Sequence, residues 1–211
     1  MQKLQHPNII PLYDFGMYQR RPYIVMEYLA GGSLADRLKQ ERGMSLRVSA
    51  HILNQVADAL DFAHSKQVIH RDLKPGNILL GDGSDAFAML TDFGIARVLE
   101  HTVLTQGGVM PGTPHYMSPE QARGAEKLSR SSDLYSFGVI AYLMAVGRLP
   151  FGGEPLVIIN QHLTATPPTP SSLNPDLPRA LDPVLLKMLE KDPKNRYITA
   201  RAFADAFAHA I

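Results

Sequence analysis

Val68-Ile69-His70-Arg71-Asp72-Leu73-Lys74-Pro75-Gly76-Asn77 is the stretch whose reading decides the fold. It sets an acid, two cations and an amide between two apolar runs, Val68-Ile69 before it and Ile78-Leu79-Leu80 after it. Such runs read as short strands, and a polar loop held between strands presents its groups at fixed positions. Alone, His70-Arg71-Asp72 is no more than a solvated charged turn. Asp92-Phe93-Gly94, further along, changes that. Two carboxylate-bearing motifs at this spacing, the first running on to Lys74 and Asn77, are not what independent turns produce.

At these residues the sequence resembles the eukaryotic-like protein kinases, whose catalytic loop and metal-binding motif have this form. Lys74, at the second position after Asp72, resembles the Ser/Thr-specific branch and not the tyrosine branch. Ser118-Pro119-Glu120-Gln121-Ala122-Arg123-Gly124, and Asp192-Pro193 ahead of Arg196, resemble the bacterial members. The resemblance extends over essentially the whole chain. It implies an α+β, protein-kinase-like fold. Residues 29–211 would form a mainly helical C-lobe with the catalytic loop and activation segment. Residues 1–28 would be a residual N-lobe, the end of a helix and a two-stranded hairpin. The implied cofactors are ATP and Mg²⁺ (or Mn²⁺), and the implied substrates are proteins with Ser or Thr acceptors.

The chain has 211 residues, enough for one sizeable core or two small lobes. Apolar residues at 45% and charged residues at 19% are ordinary for a globular protein. A net charge of +1 supplies no field that would draw the chain to nucleic acid or to a membrane. The absence of cysteine excludes a disulfide frame, a thiolate metal site and a thiol redox switch, and fits a cytoplasmic location. The longest apolar run, residues 137–146, is too short to span a bilayer and reads as a buried helix. No signal peptide is expected ahead of residue 10.

Residues 9–16 and 23–28 read as two strands joined by the polar segment 18–22. Two strands alone are marginal in water and need a third partner or a helix. Ser33 reads as the N-cap of a short helix to Gln40, and a longer helix follows over 45–65, with Leu53, Val56, Leu60 and Ala63 on one face. A turn is expected at 81–85. Residues 92–120 read mostly as loop, and a connection that long usually has a function of its own. Ser118-Pro119 has the form of a helix start closed by Gly124. Residues 131–145 read as the central helix, closed by Gly147. A helix over 155–163 is followed by a Pro- and Ser-rich stretch, 166–178, which reads as a stiff connector. Helices over 182–189 and 199–208 complete the chain, with Asp182-Pro183 and Thr199 at their starts.

The resemblance assigns roles residue by residue. Asp72 would accept or orient the substrate hydroxyl, and Lys74 would neutralise charge on the transferred phosphoryl group. Asn77 and Asp92 would supply oxygen ligands to the metal, a hard cation that takes few protein ligands. Backbone groups of Glu27 and Leu29 would bond adenine, Met26 would guard the pocket and Leu79 would floor it. Thr113, within Gly112-Thr113-Pro114, would bridge Asp72 and Lys74. Arg71 resembles the kinases whose activation loop is ordered by a phosphate, for which Thr102 and Thr105 are the candidates. Structural roles fall to His70, to Phe93 and Gly94, to Asp133 as a cap on the backbone around His70-Arg71, and to a buried Glu120–Arg196 pair. Read as a sequence position alone, Asp133 is an ordinary helix start.

The Gly-rich phosphate loop, the strand lysine and the helix glutamate of a complete kinase are absent from these residues. Residues 4–10, Leu-Gln-His-Pro-Asn-Ile-Ile, resemble the junction just after the glutamate-bearing helix. Lys3 is the only lysine before Met26, and it falls on that helix remnant. The expectation is therefore a kinase domain truncated at its N-terminus and inactive alone, through real truncation or an incomplete gene model. The hairpin over 9–28 would then need a partner, or the missing lobe, to cover it. The rival reading is a non-catalytic, kinase-like binding module. Intact base and metal-ligand motifs weigh against it, because scaffolding has no need of them.

Overall fold

The computed structural model describes residues 4–19, 21–40, 44–82, 87–93 and 114–211. A two-stranded antiparallel hairpin comes first: β1 (Leu12–Tyr18) pairs with β2 (Arg21–Met26), Tyr18 opposite Arg21. The strands start and close differently from the expected 9–16 and 23–28. Gln19 takes a left-handed φ of 47°, so the turn is shorter than the polar segment suggested. Pro22 lies within β2, tolerable in a ribbon where each strand keeps an outer edge that needs no N–H. Ile9 is not in the hairpin. It bridges Leu90 in parallel, with Ile10 N donating to Leu90 O at 2.8 Å and Leu90 N donating to Asn8 O at 2.8 Å.

Helix α1 (Leu34–Gln40) starts at Ser33, whose Oγ accepts from Asp36 N at 3.2 Å. Helix α2 (Leu46–Ser65) starts at Ser45, whose side chain accepts from Val48 N. The polar loop after α2 ends in a single turn at Pro75–Asn77 and runs into β3 (Ile78–Leu80), antiparallel to β4 (Ala88–Leu90). After a turn at Pro114–Tyr116 come α3 (Pro119–Ala122) and α4 (Arg130–Val146), then α5 (Pro155–Thr164), α6 (Pro170–Leu173), α7 (Leu181–Met188) and α8 (Ala200–His209).

The core is centred on α4. Leu134, Tyr135, Phe137, Val139, Ile140, Ala141 and Tyr142 are all buried, so this helix is enclosed on every side, as a helix apolar all round must be. Amphipathic α2 packs on it and α8 packs on α2, reaching α4 through Phe203, which meets Phe137 edge-on with ring centroids 5.5 Å apart. Each fully buried Phe or Leu contributes roughly 1.5–3 kcal/mol of hydrophobic stabilisation. Gly138 lets α7 approach: a Cβ there would sit 2.6 Å from Met188 Cγ.

Two local readings are corrected. The stretch 166–178 holds a full helical turn, α6, with Pro170 at its first position. Asp182 does not cap its own helix; its carboxylate accepts from Ser171 N at 2.8 Å and Ser171 Oγ at 2.6 Å, tying α6 to α7. Among the described residues no helix is long and apolar enough to cross a membrane.

Candidate active site

The polar loop between α2 and β3 is held from below by one carboxylate. Asp133, in the first turn of α4 and 1% exposed, accepts from His70 N at 2.8 Å through Oδ2 and from Arg71 N at 2.8 Å through Oδ1. Its Oδ2 also accepts from His64 Nε2 at 2.7 Å. The N-cap of α4 is Ser129, so Asp133 is free for this long-range duty. His70 is fixed at its other end: Nε2 donates to Thr91 O at 2.8 Å, and its ring stands 4.8 Å from that of Phe93. The loop is thereby tied to α2, α4 and the end of β4 together.

On this support Asp72, Lys74 and Asn77 come together. Lys74 Nζ lies 2.6 Å from Asp72 Oδ2. Asn77 Nδ2 donates to Asp72 O at 2.7 Å and reaches Asp72 Oδ2 at 3.3 Å. The Asp72 and Lys74 side chains are 44% and 31% exposed, so their attraction adds little stability. Their placement side by side in a reachable surface is what chemistry can use. Thr91 N donates to Asn77 O at 3.0 Å, so the chain entering Asp92 runs beside Asn77. With its amide nitrogen engaged by Asp72, Asn77 keeps Oδ1 as an oxygen donor of the kind a hard cation takes, and the Asp92 carboxylate, 3.4 Å from Thr91 Oγ1, brings further oxygens on the chain segment that runs beside it. This oxygen donor set fits Mg²⁺ or Mn²⁺ and would not suit a soft metal.

Two of these residues have left-handed backbones that L side chains rarely adopt, Arg71 at φ 70° and Asp92 at φ 64°. Such conformations persist only where the surroundings over-determine them. Both backbone groups of Arg71 are held: N–H by Asp133, and C=O by Gln121 Nε2 at 2.7 Å. Beside Asp92, Thr91 Oγ1 lies 3.4 Å from Asp92 Oδ1 and 3.5 Å from Met26 Sδ. Met26 thus joins the site across 65 residues of sequence.

Glu27 is exposed, and its N–H donates to Pro11 O at 3.2 Å. Leu29 and Leu79 are half-buried. Leu79 bridges Ser33, and Leu80 N donates to Gly32 O at 2.8 Å, so the bend after Met26 is fastened to β3. Gly31 makes this approach possible: a Cβ there would sit 2.4 Å from Gly81 O and 2.5 Å from Leu80 O. A cleft of about 750 Å³ opens under the hairpin, lined among others by Ile9, Leu12, Met26, Val68, Asp92 and Phe93. Asp72, Lys74, Asn77 and Leu79 do not line it, so it is a neighbour of the polar cluster and not its mouth.

Downstream, Glu120 and Arg196 form a bidentate pair, Nη1–Oε1 2.8 Å and Nη2–Oε2 3.0 Å. Arg196 also donates to the carbonyls of Glu190, Ser131 and Lys191 and lies 4.8 Å over the Tyr135 ring. Tyr135 in turn reaches His162 Nδ1 at 2.9 Å, and His162 Nε2 donates to His115 O at 3.1 Å. The His162 imidazole is fully enclosed, and burial pushes its pKa down to about 4. Burial, with Arg196 nearby, also lowers Lys191, to about 8. This chain of contacts supports the turn Pro114–Tyr116 from α5.

Gly94, Thr102, Thr105 and Thr113, like Lys3, lie outside the described residues. His64 and Gln121 were not among the residues singled out from sequence. The Ser118-x-x-Gln121 spacing of a capping box marks the second, though not its contact with Arg71.

The pattern of the family described as "Protein kinase domain" matches residues 1–208. The serine/threonine-protein kinase PrkC of Bacillus subtilis (strain 168) is 39% identical over 198 residues, covering 93% of this chain and 30% of that protein. The serine/threonine-protein kinase Pkn1 of Myxococcus xanthus is 41% identical over 210 residues, covering 98% of this chain and 30% of that protein. The chain spans about a third of the length of the curated relatives it matches. With a largely helical body and a small hairpin consistent with that fold, the chain belongs to the protein kinase domain family.

Proposed function

We propose that these residues are the larger part of a kinase domain that transfers the γ-phosphoryl group of ATP to Ser or Thr hydroxyls of proteins. The observation that carries this is the convergence of Lys74 Nζ and Asn77 Nδ2 on Asp72 Oδ2, both within 3.3 Å, with the chain entering Asp92 running beside Asn77. Asp72 accepts or orients the hydroxyl proton, and Lys74 balances charge on the phosphoryl group. Asn77 Oδ1 and the Asp92 carboxylate hold Mg²⁺ or Mn²⁺, which when bound neutralises phosphate charge. Glu27 and Leu29 offer backbone groups to adenine between Met26 and Leu79. Thr113 bridges Asp72 and Lys74, and Arg71 reads a phosphate on Thr102 or Thr105.

The 211 residues alone transfer phosphate poorly, because no Gly-rich loop, strand lysine or helix glutamate is among them. Peptide phosphorylation with Mg-ATP is to be compared between the chain alone and the chain preceded by those elements. Asp72→Asn in the extended form should abolish turnover and leave ATP affinity nearly unchanged, whereas Asp92→Asn should weaken Mg-ATP binding. Equal loss of nucleotide affinity in both would overturn the division of roles. An extended wild type without turnover would favour a non-catalytic binding module.

A further inference from the structure

We infer that Gln121 is a positioning residue that couples the helix after the substrate turn to the catalytic loop. This rests on the function proposed above. One side-chain amide faces two ways. Its Oε1 accepts from Ser118 N at 3.0 Å and Ser118 Oγ at 3.0 Å, closing the capping box at the start of α3. Its Nε2 donates to Arg71 O at 2.7 Å, across 50 residues of sequence.

The position of that carbonyl matters. Arg71 is left-handed, and its carbonyl belongs to the peptide unit that leads into Asp72. Asp133 holds the N–H side of Arg71, and Gln121 holds the C=O side. With the C=O anchor lost, Asp133 still holds the N–H side of Arg71 and Asn77 still holds Asp72 O, but the peptide plane between them is freer to tilt, and with it the Asp72 carboxylate. The other half of the amide grips the residues that follow the turn Pro114–Tyr116, itself held by Ser136 Oγ donating to Tyr116 O at 2.7 Å. Displacement of that turn therefore reaches the catalytic carboxylate through a single amide. Gln121 touches no reacting atom; it acts through Arg71.

The two halves can be separated by substitution. Gln121→Glu keeps an acceptor for Ser118, and Glu suits a capping box as well as Gln does. At pH 7 it cannot donate to Arg71 O. Gln121→Lys does the reverse, and Gln121→Ala removes both. The first measurement is amide hydrogen exchange over residues 70–73 in the 211-residue chain, with thermal unfolding alongside. Gln121→Glu should speed exchange at Arg71 and Asp72 about tenfold, the worth of one net hydrogen bond, with little change in melting temperature. Gln121→Lys should retain more protection there than Gln121→Ala. In the extended, active form Gln121→Glu should lower kcat about tenfold and leave KM for ATP unchanged. Wild-type exchange and kcat in Gln121→Glu, with losses in Gln121→Ala and Gln121→Lys, would reduce Gln121 to a helix cap. An extended parent that is itself inactive would overturn the proposed function and leave the exchange comparison to decide the positioning role.

Discussion

Replacing Glu120 by Gln removes the charge from a pair whose cationic member cannot follow it into water. The Arg196 side chain is 0% exposed and that of Glu120 is 14% exposed. Arginine has five N–H donors, and here each has an acceptor: two oxygens of Glu120 and the carbonyls of Ser131, Glu190 and Lys191. In the Gln variant the three carbonyls and one amide oxygen remain. The second carboxylate oxygen becomes an NH₂ group facing a guanidinium N–H, and the buried positive charge loses its counterion. Breaking a buried pair on one side costs about 3–5 kcal/mol. The remaining carbonyls and the Tyr135 face place this case near the lower end, at about 3 kcal/mol. Urea unfolding followed by far-UV circular dichroism reads it directly. With a slope near 3 kcal/mol per molar, the midpoint should fall by about 1 M. Arg196→Met should also be costly, since it strands Glu120 and three carbonyls. The double variant should lose less than the sum of the singles by over about 1 kcal/mol. A loss below about 1 kcal/mol in Glu120→Gln, the range of an exposed pair, would refute the reasoning.

Other outcomes follow from the same structure. Gly31→Ala forces a Cβ against the carbonyls of Leu80 and Gly81 and should cost about 1–3 kcal/mol; an unchanged melting temperature would show that the bend yields freely. Gln67, which follows α2 with φ 60°, should gain up to about 1 kcal/mol on replacement by Gly, read as a higher melting temperature. His162 has a folded pKa depressed to about 4 against 6.5, so the unfolded chain binds the proton more readily. Its contribution is complete above pH 6.5 and declines as pH falls toward 4. A pH series of unfolding free energies should show this acid sensitivity blunted in His162→Gln, and identical slopes in the two proteins would count against it.

Local chemistry was legible in the sequence and long-range chemistry was not. Ser33, Ser45, Ser118 and Thr199 announce helix starts because each caps an amide two or three positions on, and each does so here. The hairpin was displaced because Ile9 and Ile10, apolar and β-prone, pair with β4 about eighty residues away; no local pattern distinguishes that partner from β2. The turn of α6 was hidden because proline reads as a breaker, although at a first helical position its missing N–H is no loss. At the site, the resemblance supplied Asp133 and its cap on residues 70–71. It did not supply His64, which meets the same carboxylate from the end of α2, nor Gln121. Both work through single side-chain contacts across 69 and 50 residues.

Four non-glycine residues among those described have left-handed backbones: Gln19, Gln67, Arg71 and Asp92. Gln19 and Gln67 sit at turns where glycine would do the same job. Arg71 and Asp92 sit where the function proposed above needs the side chain as well. A laboratory selection for heat resistance alone should accumulate glycine at all four with equal appetite. At two of them the survivors would be sturdier proteins, and at the other two sturdier relics. Unequal tolerance of glycine at these four positions, scored once for survival on heating and once for turnover, would thus separate residues retained for work from residues retained by habit.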